Sequence, residues 1–242
     1  MSAPGKPVAV VTGAGRGIGQ AIAVELARGG YRLCLAARTR EQLEETRAAS
    51  GLAPVDSLIV LLDLAEAPAP AALIETALAH YGRLDVLINN AGWAPPRRAL
   101  VKISEAEQDR MLAVNLRAPI ALTRLAAAHM LKAGGGAIIN VASTAGLRSP
   151  AMESIYAAAK AGLIAFSRSC FSELREGAVR VSVVIPGLVD TGLIPPNKHL
   201  DRALMLKPAA VAHAVHQILT APPGACPAEI VIEPARNPER SR

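Results

Sequence analysis

Tyr156 and Lys160 stand four residues apart, and Ser143 precedes Tyr156 by thirteen. On a helix, positions i and i+4 share a face, which would bring a phenol and an ammonium together. A serine ending the preceding strand can be folded against them by a loop. A neutral phenol has a pKa of about 10 and is a poor base at pH 7. A neighbouring ammonium favours the phenolate. Lowering the phenol by about three units takes roughly 4 kcal/mol of differential interaction. Such a group can exchange a proton with a carbonyl or alcohol oxygen that Ser143 holds by a hydrogen bond. By itself the Tyr-Lys spacing would equally suit a pair on a helix surface.

A second element raises the significance of the first. Thr12 to Gly19 read TGAGRGIG. Gly13, Gly17 and Gly19 give the spacing GxxxGxG, with Gly15, Arg16 and Ile18 in the same turn. The turn follows an apolar strand and opens a helix. Glycines let the backbone approach a pyrophosphate there, and the helix N-terminus offers it free N–H groups. Without a ligand the segment would be a tight strand-to-helix loop. An acid ending the second strand would favour NAD, and an arginine would accommodate the extra phosphate of NADP. That strand ends Ala36-Ala37-Arg38, and Arg16 lies within the glycine turn. The expectation is NADP(H) over NAD(H), the alternative being two ordinary surface arginines. Asp63, followed by Leu64, closes the third strand. It could accept a hydrogen bond from the adenine amino group, or serve as a turn residue.

Strands and helices alternate around these motifs. Apolar runs predict strands at Val8–Thr12, Arg32–Ala37, Ser57–Leu62, Leu84–Ile88, Ala137–Ala142, Val179–Ile185 and Glu229–Ile232. Helical spacing predicts helices over 17–28, 40–49, 70–81, 104–115, 119–133, 153–175 and 208–220. The strands are near-continuous in apolar residues, as in sheets covered on both faces. The fold expected is α/β: a Rossmann-type, doubly wound, predominantly parallel seven-stranded sheet with helices on both faces, in a single domain over 1–242. The polar residues at about 234–242 are expected to fray.

Composition narrows the alternatives. Half of the 242 residues are hydrophobic (51%) but only 2% are aromatic, so aliphatic side chains must build the core. The net charge of +6 comes from Arg and Lys scattered along the sequence. A nucleic-acid interface would need a basic patch, so no nucleic-acid partner is expected. Cys34, Cys170 and Cys226 are widely spaced and form neither a disulfide framework nor a zinc pattern, and no metal is expected. The N-terminal residues lack the apolar stretch of a signal peptide. No unbroken apolar run approaches the ~20 residues of a bilayer span. The expectation is a cytoplasmic protein with no membrane partner.

Taken together, TGAGRGIG, Asp63, NNAG at Asn89–Gly92, Asn115 in VNL, Ser143, YAAAK and Pro186-Gly187 followed by Thr191 resemble the short-chain dehydrogenase/reductase family, from Val8 to about Ile232. The resemblance implies a catalytic tetrad of Asn115, Ser143, Tyr156 and Lys160. Asn115 would link Lys160 to solvent as a proton relay, through its helix backbone and a water. Lys160 would also bind the nicotinamide ribose. Asn90, Ala91 and Gly92 would line the adenosine side, while Pro186, Gly187, Val189 and Thr191 would cradle the nicotinamide. The implied reaction interconverts a carbonyl (a ketone or 3-oxo group) and a secondary alcohol, with a small-molecule substrate and NADP(H). A 3-oxoacyl carrier-protein reductase and a non-catalytic nucleotide-binding regulator on the same fold are the alternatives. Trp93 and Met152 either border the substrate or pack. The family also implies a homodimer or homotetramer through helices near 118–132 and 156–175. One departure is IVIEPARNP, where many relatives have a VDGG-like segment. Another is the short stretch between Thr191 and Lys207, from which a small or open substrate site is expected.

Overall fold

A computed structural model describes residues 5–195 and 197–239. Seven strands form one parallel sheet in the order β3-β2-β1-β4-β5-β6-β7. They are β1 (Val8–Thr12), β2 (Arg32–Ala37), β3 (Ser57–Leu61), β4 (Val86–Asn89), β5 (Gly136–Val141), β6 (Val179–Pro186) and β7 (Glu229–Ile232). Strand order reverses between β1 and β4. This is the switch point where such sheets open a crevice beyond their carboxyl ends.

The alternation of side chains along each strand divides the core into two layers. Val8 and Val10 point to one face, where they meet Leu73 of α3 (Ala69–Tyr81) and Leu122 of α5 (Ala118–Ala133). Ala9 and Val11 point to the other. There they pack with Ile22 of α1 (Gly17–Arg28), Leu43 of α2 (Arg40–Ser50) and Val211 of α8 (Pro208–Leu219). A buried parallel strand must be apolar at both parities, and β1 is buried at all five positions.

The helical stretches around residue 115 are one continuous run. α4 (Glu105–Leu112) opens on a capping box, in which Ser104 accepts from the Glu107 amide and Glu107 reaches back to the Ser104 amide. A π turn over Ala113–Arg117 then joins it to α5. The joined helix of 29 residues is long and apolar enough to cross a membrane by length and composition, yet 56% of its most apolar window is buried within the protein. A further turn of helix, α6 (Ala145–Arg148), and the long α7 (Ser154–Leu174) complete the described elements.

The sequence expectation of a fraying tail is corrected for the residues described. Gly187 donates to Ile232 O at 2.8 Å, and Asp201 donates to Pro238 O at 2.8 Å. Leu200 and Glu239 form an antiparallel bridge, and Pro238 is buried. Prolines remove donors but leave carbonyls free to accept, so a polar composition did not prevent docking. Residues 240–242 lie outside the described set.

Candidate active site

The carboxyl ends of β1 and β4 are tied together by polar side chains. Thr12 donates its hydroxyl to Ile88 O, and the same oxygen accepts from the amides of Asn90 and Ala91 at 3.0 and 3.1 Å. The Asn90 amide group donates to Thr12 O and Gly13 O. Deeper, Asn89 donates to Asn140 at 2.8 Å, and Asn140 donates to Ser167 of α7 at 2.8 Å. This buried network locks β4, β5 and α7 in one register.

The glycine turn fits a dinucleotide by what it leaves out. Gly13 and Gly17 adopt φ of +63° and +57°, which L side chains rarely adopt. A Cβ on Gly19 would lie 2.1 Å from Gly13 O, and one on Gly15 would lie 2.9 Å from Gln42. No side chain caps the N-terminus of α1. The first-turn amides therefore face a cleft of about 410 Å³, which suits a diphosphate.

Gly13, Gly15, Arg16, Gly17, Ile18 and Gly19 all line this cleft, as do Arg38, Asp63, Leu64, Asn90, Ala91, Gly92, Tyr156, Lys160 and Thr191. Pro186, Gly187 and Val189 line an adjoining cavity of about 770 Å³, together with Ser143, Tyr156 and Met152. Tyr156 belongs to the wall common to both. The two arginines expected at one phosphate point to different sides. Arg38 reaches toward Asp63 at 3.9 Å, whereas a guanidinium nitrogen of Arg16 lies 3.4 Å from where a Cβ of Gly192 would stand.

Asp63 is engaged within the protein. Its Oδ1 accepts from the Ala65 amide at 3.0 Å, and its Oδ2 pairs with Arg110 at 2.6 Å. Burial raises its pKa, but the Ala65 bond and the two guanidiniums outweigh that and hold the carboxyl below its ordinary value. Sequence reasoning missed Arg110, which also lies over the Trp93 ring at 5.6 Å. No spacing links position 110 to position 63. Trp93 lines the dinucleotide cleft rather than the larger cavity, and Met152 lines the larger one.

Asn115 lies in the π turn, fully buried behind the cleft. Its side chain donates to Trp93 O at 2.6 Å and Met111 O at 2.9 Å, and accepts from the Trp93 amide at 3.2 Å. It clasps the loop after β4. Lys160 is buried at 3% exposure and donates to Val141 O at 3.0 Å. Its Nζ lies 5.8 Å from the centre of the Tyr156 ring.

The expected acidification of Tyr156 draws on Lys160 together with the positive ring of an oxidised nicotinamide; burial in the protein itself acts the other way. Burial pushes Tyr156 up to about 12, against hydrogen bonding with Ser143, and Glu153 adds to the rise. Burial pushes Lys160 down to about 8. Burial disfavours the charged form of each group, and at the half-buried Tyr156 the Ser143 hydrogen bond opposes it only in part. At pH 7 the pair is a neutral phenol beside an ammonium.

Of the two alternatives expected, a small or an open site, the volume speaks against the small one. About 770 Å³ lies well within the range of ligand sites. The segment after β7 and the stretch following Thr191 both supply its wall, the latter through Leu193, Ile194 and Asn197.

Comparison with known proteins agrees with this layout. The family model for short chain dehydrogenases matches residues 7–199. A human 3-oxoacyl-[acyl-carrier-protein] reductase is 35% identical over 221 residues, covering 89% of this chain and 92% of the relative. The crystal structure of a metagenomic short-chain oxidoreductase in complex with NADP superposes with a TM-score of 0.82 at 36% identity, covering 95% and 98% of the two chains. A 3-ketoacyl-(acyl-carrier-protein) reductase from Brucella melitensis, complexed with NADH, gives 0.86 at 27% identity, covering 96% and 98%. A glycine turn at a sheet's switch point, a tyrosine shared by two clefts and a match over most of the sequence lead to one assignment: the chain belongs to the short-chain dehydrogenase family.

Proposed function

We propose that the protein is an NADP(H)-dependent reductase that interconverts a ketone or 3-oxo group and a secondary alcohol, with Tyr156 as the acid. The observation that carries the reading is the placement of Tyr156 on the wall shared by the dinucleotide cleft and the larger cavity. Gly13, Gly17 and Gly19 would hold the diphosphate, Arg38 the adenosine-side phosphate, and Lys160 the nicotinamide ribose. When bound, the cofactor supplies the hydride. Ser143 orients the substrate oxygen, and Tyr156 donates a proton to it as negative charge develops there. A phenol at about 12 stays loaded with that proton throughout the neutral range, which favours reduction. The phenolate left behind faces the Lys160 ammonium.

Relatives named as ketoacyl reductases support a 3-oxo substrate as the narrower version. A cytoplasmic homodimer or homotetramer, packed through α5 and α7, is part of the same reading. The test is NADPH oxidation over a panel of ketones, β-ketoesters, quinones and aldehydes. Firm NADPH binding without turnover on any of them would favour a nucleotide-binding regulator instead.

A further inference from the structure

The segment after β7 is absorbed by none of the roles above, yet it closes one side of the cavity in front of Ser143 and Tyr156. Glu233, Pro234, Asn237, Pro238 and Glu239 all line that cavity. Three attachments hold the segment. Arg148 of α6 pairs with Glu233 at 2.5 Å. The Pro234 ring packs over Gly187, where a Cβ would lie 3.0 Å from its Cδ. Pro238 accepts the Asp201 amide, next to the Leu200–Glu239 bridge. The last contact sits beside Arg202, which binds Asp190 Oδ1, Thr191 O and Ile194 O at 2.8 to 3.0 Å. The strap thus braces the residues that carry Thr191 and Leu193, two members of the wall between the clefts.

The charges around the cavity restrict what fits. Among the described residues its wall carries two guanidiniums, Arg97 and Arg148, and three carboxylates, Glu153, Glu233 and Glu239. Both guanidiniums are already paired, Arg97 with Glu153 and Arg148 with Glu233. An anionic substrate would have to break one of these pairs to gain either guanidinium. The remaining lining is dominated by aliphatic and proline side chains, including Pro95, Ile103, Ile155, Leu188 and Ile194.

Resting on the reductase reading, we propose that Glu233–Glu239 is a substrate-selecting wall, and that it admits an uncharged, largely apolar carbonyl compound rather than a keto acid. Pro234, Asn237 and Pro238 meet the part of the substrate remote from the reacting carbonyl. Differences in its bulk are therefore read mainly in KM.

The test compares the full chain with a variant ending at Glu233 and with Pro234→Ala. Substrates are a compact ketone, a bulky ketone and the keto acid matched to the bulky one, with NADPH affinity measured alongside. The full chain should prefer the neutral ketone to its keto acid by about tenfold or more in kcat/KM. Truncation should change the ratio of KM for bulky and compact ketones by roughly tenfold, the scale of a methylene-sized pocket change. Pro234→Ala should move the ratio in the same direction by less, and any loss of NADPH affinity should be smaller than the change in the KM ratio. An unchanged ratio in an active truncated enzyme, or an equal rate on the keto acid, would overturn the proposal. Amide exchange reads the wall without turnover. The Asp201 amide should exchange faster by about tenfold or more once Pro238 is removed, and unchanged protection there would also overturn it. If the full chain reduces no carbonyl at all, the reductase reading fails and the exchange result alone decides whether the strap braces the site.

Discussion

Replacing Lys160 with methionine should make the cofactor-free protein more stable while removing its activity. The lysine is 3% exposed, and burial takes its pKa from 10.5 to about 8. A displacement of about 2.5 units corresponds to about 3 kcal/mol at 1.36 kcal/mol per unit. Methionine fills a similar volume without that penalty. The Val141 carbonyl loses a charged partner at 3.0 Å, which costs about 2 kcal/mol. The net gain is about 1 kcal/mol, or roughly 2–4 °C in Tm for a domain of this size. The sign of the pH dependence is fixed by the depressed pKa. Below pH 8 lysine is charged in both folded and unfolded chains, so the folded state bears the whole penalty. Between about 8 and 10.5 the folded chain loses the proton first and the penalty fades. The advantage of Lys160→Met should therefore be largest at pH 7 and shrink by pH 10. Urea and thermal unfolding at both pH values measure it. A variant less stable than the parent at pH 7, or a gain independent of pH, would refute the claim that the Val141 bond offsets only part of the cost of burying this ammonium.

Three further outcomes are expected. Tyr156→Phe should lower kcat for ketone reduction by about a hundredfold or more while NADPH binding holds; steady-state rates with fluorescence titration would show otherwise if the hydroxyl is idle. Arg38→Ala should reduce the preference for NADP over NAD by roughly tenfold, the loss of one charge-assisted bond, and Arg16→Ala should reduce it less, because Arg16 leans toward Gly192. Equal effects on the kcat/KM ratio for the two cofactors would place the phosphate between them. Gly19→Ala forces a Cβ to within 2.1 Å of Gly13 O. It should cost about 3 kcal/mol of stability and weaken NADPH binding, and an unaltered denaturation midpoint with normal affinity would contradict that geometry.

The elements that could be read from the sequence are those with local punctuation. Gly17–Arg28, Arg32–Ala37 and Glu229–Ile232 are bounded by glycines, prolines or charge, and the structure places their ends at the same residues. α6 is four residues long, too short to show a period. The π turn around Asn115 is a change of hydrogen-bond register that leaves apolar spacing nearly intact, so the sequence divides one helix into two. The turn glycines Gly13, Gly15 and Gly19 stand where a Cβ has no room, and the spacing of the turn made them legible. The partners of charged side chains were not: Arg110 meets Asp63 across 47 residues of sequence, and Arg148 meets Glu233 across 85. Only closure of the fold brings such pairs together.

The same limit applies at Tyr156. Spacing on α7 establishes that a phenol and an ammonium are neighbours, and neighbours of that kind favour the phenolate. Spacing carries nothing about how much water surrounds them. The wall between the two clefts is built from residues of α1, the end of β5, α7 and the turn at Thr191, contributed by Ile18, Ala142 just past the strand, Tyr156, Thr191 and Leu193. That wall makes the charged forms of both groups costly. The phenol therefore waits protonated, and its acidity is called on only when a substrate oxygen beside Ser143 gathers negative charge. A site arranged this way is poised to give a proton at neutral pH. In the opposite direction it must first surrender the phenol proton, so alcohol oxidation should need a higher pH than ketone reduction, with both directions followed on the same enzyme across the alkaline range.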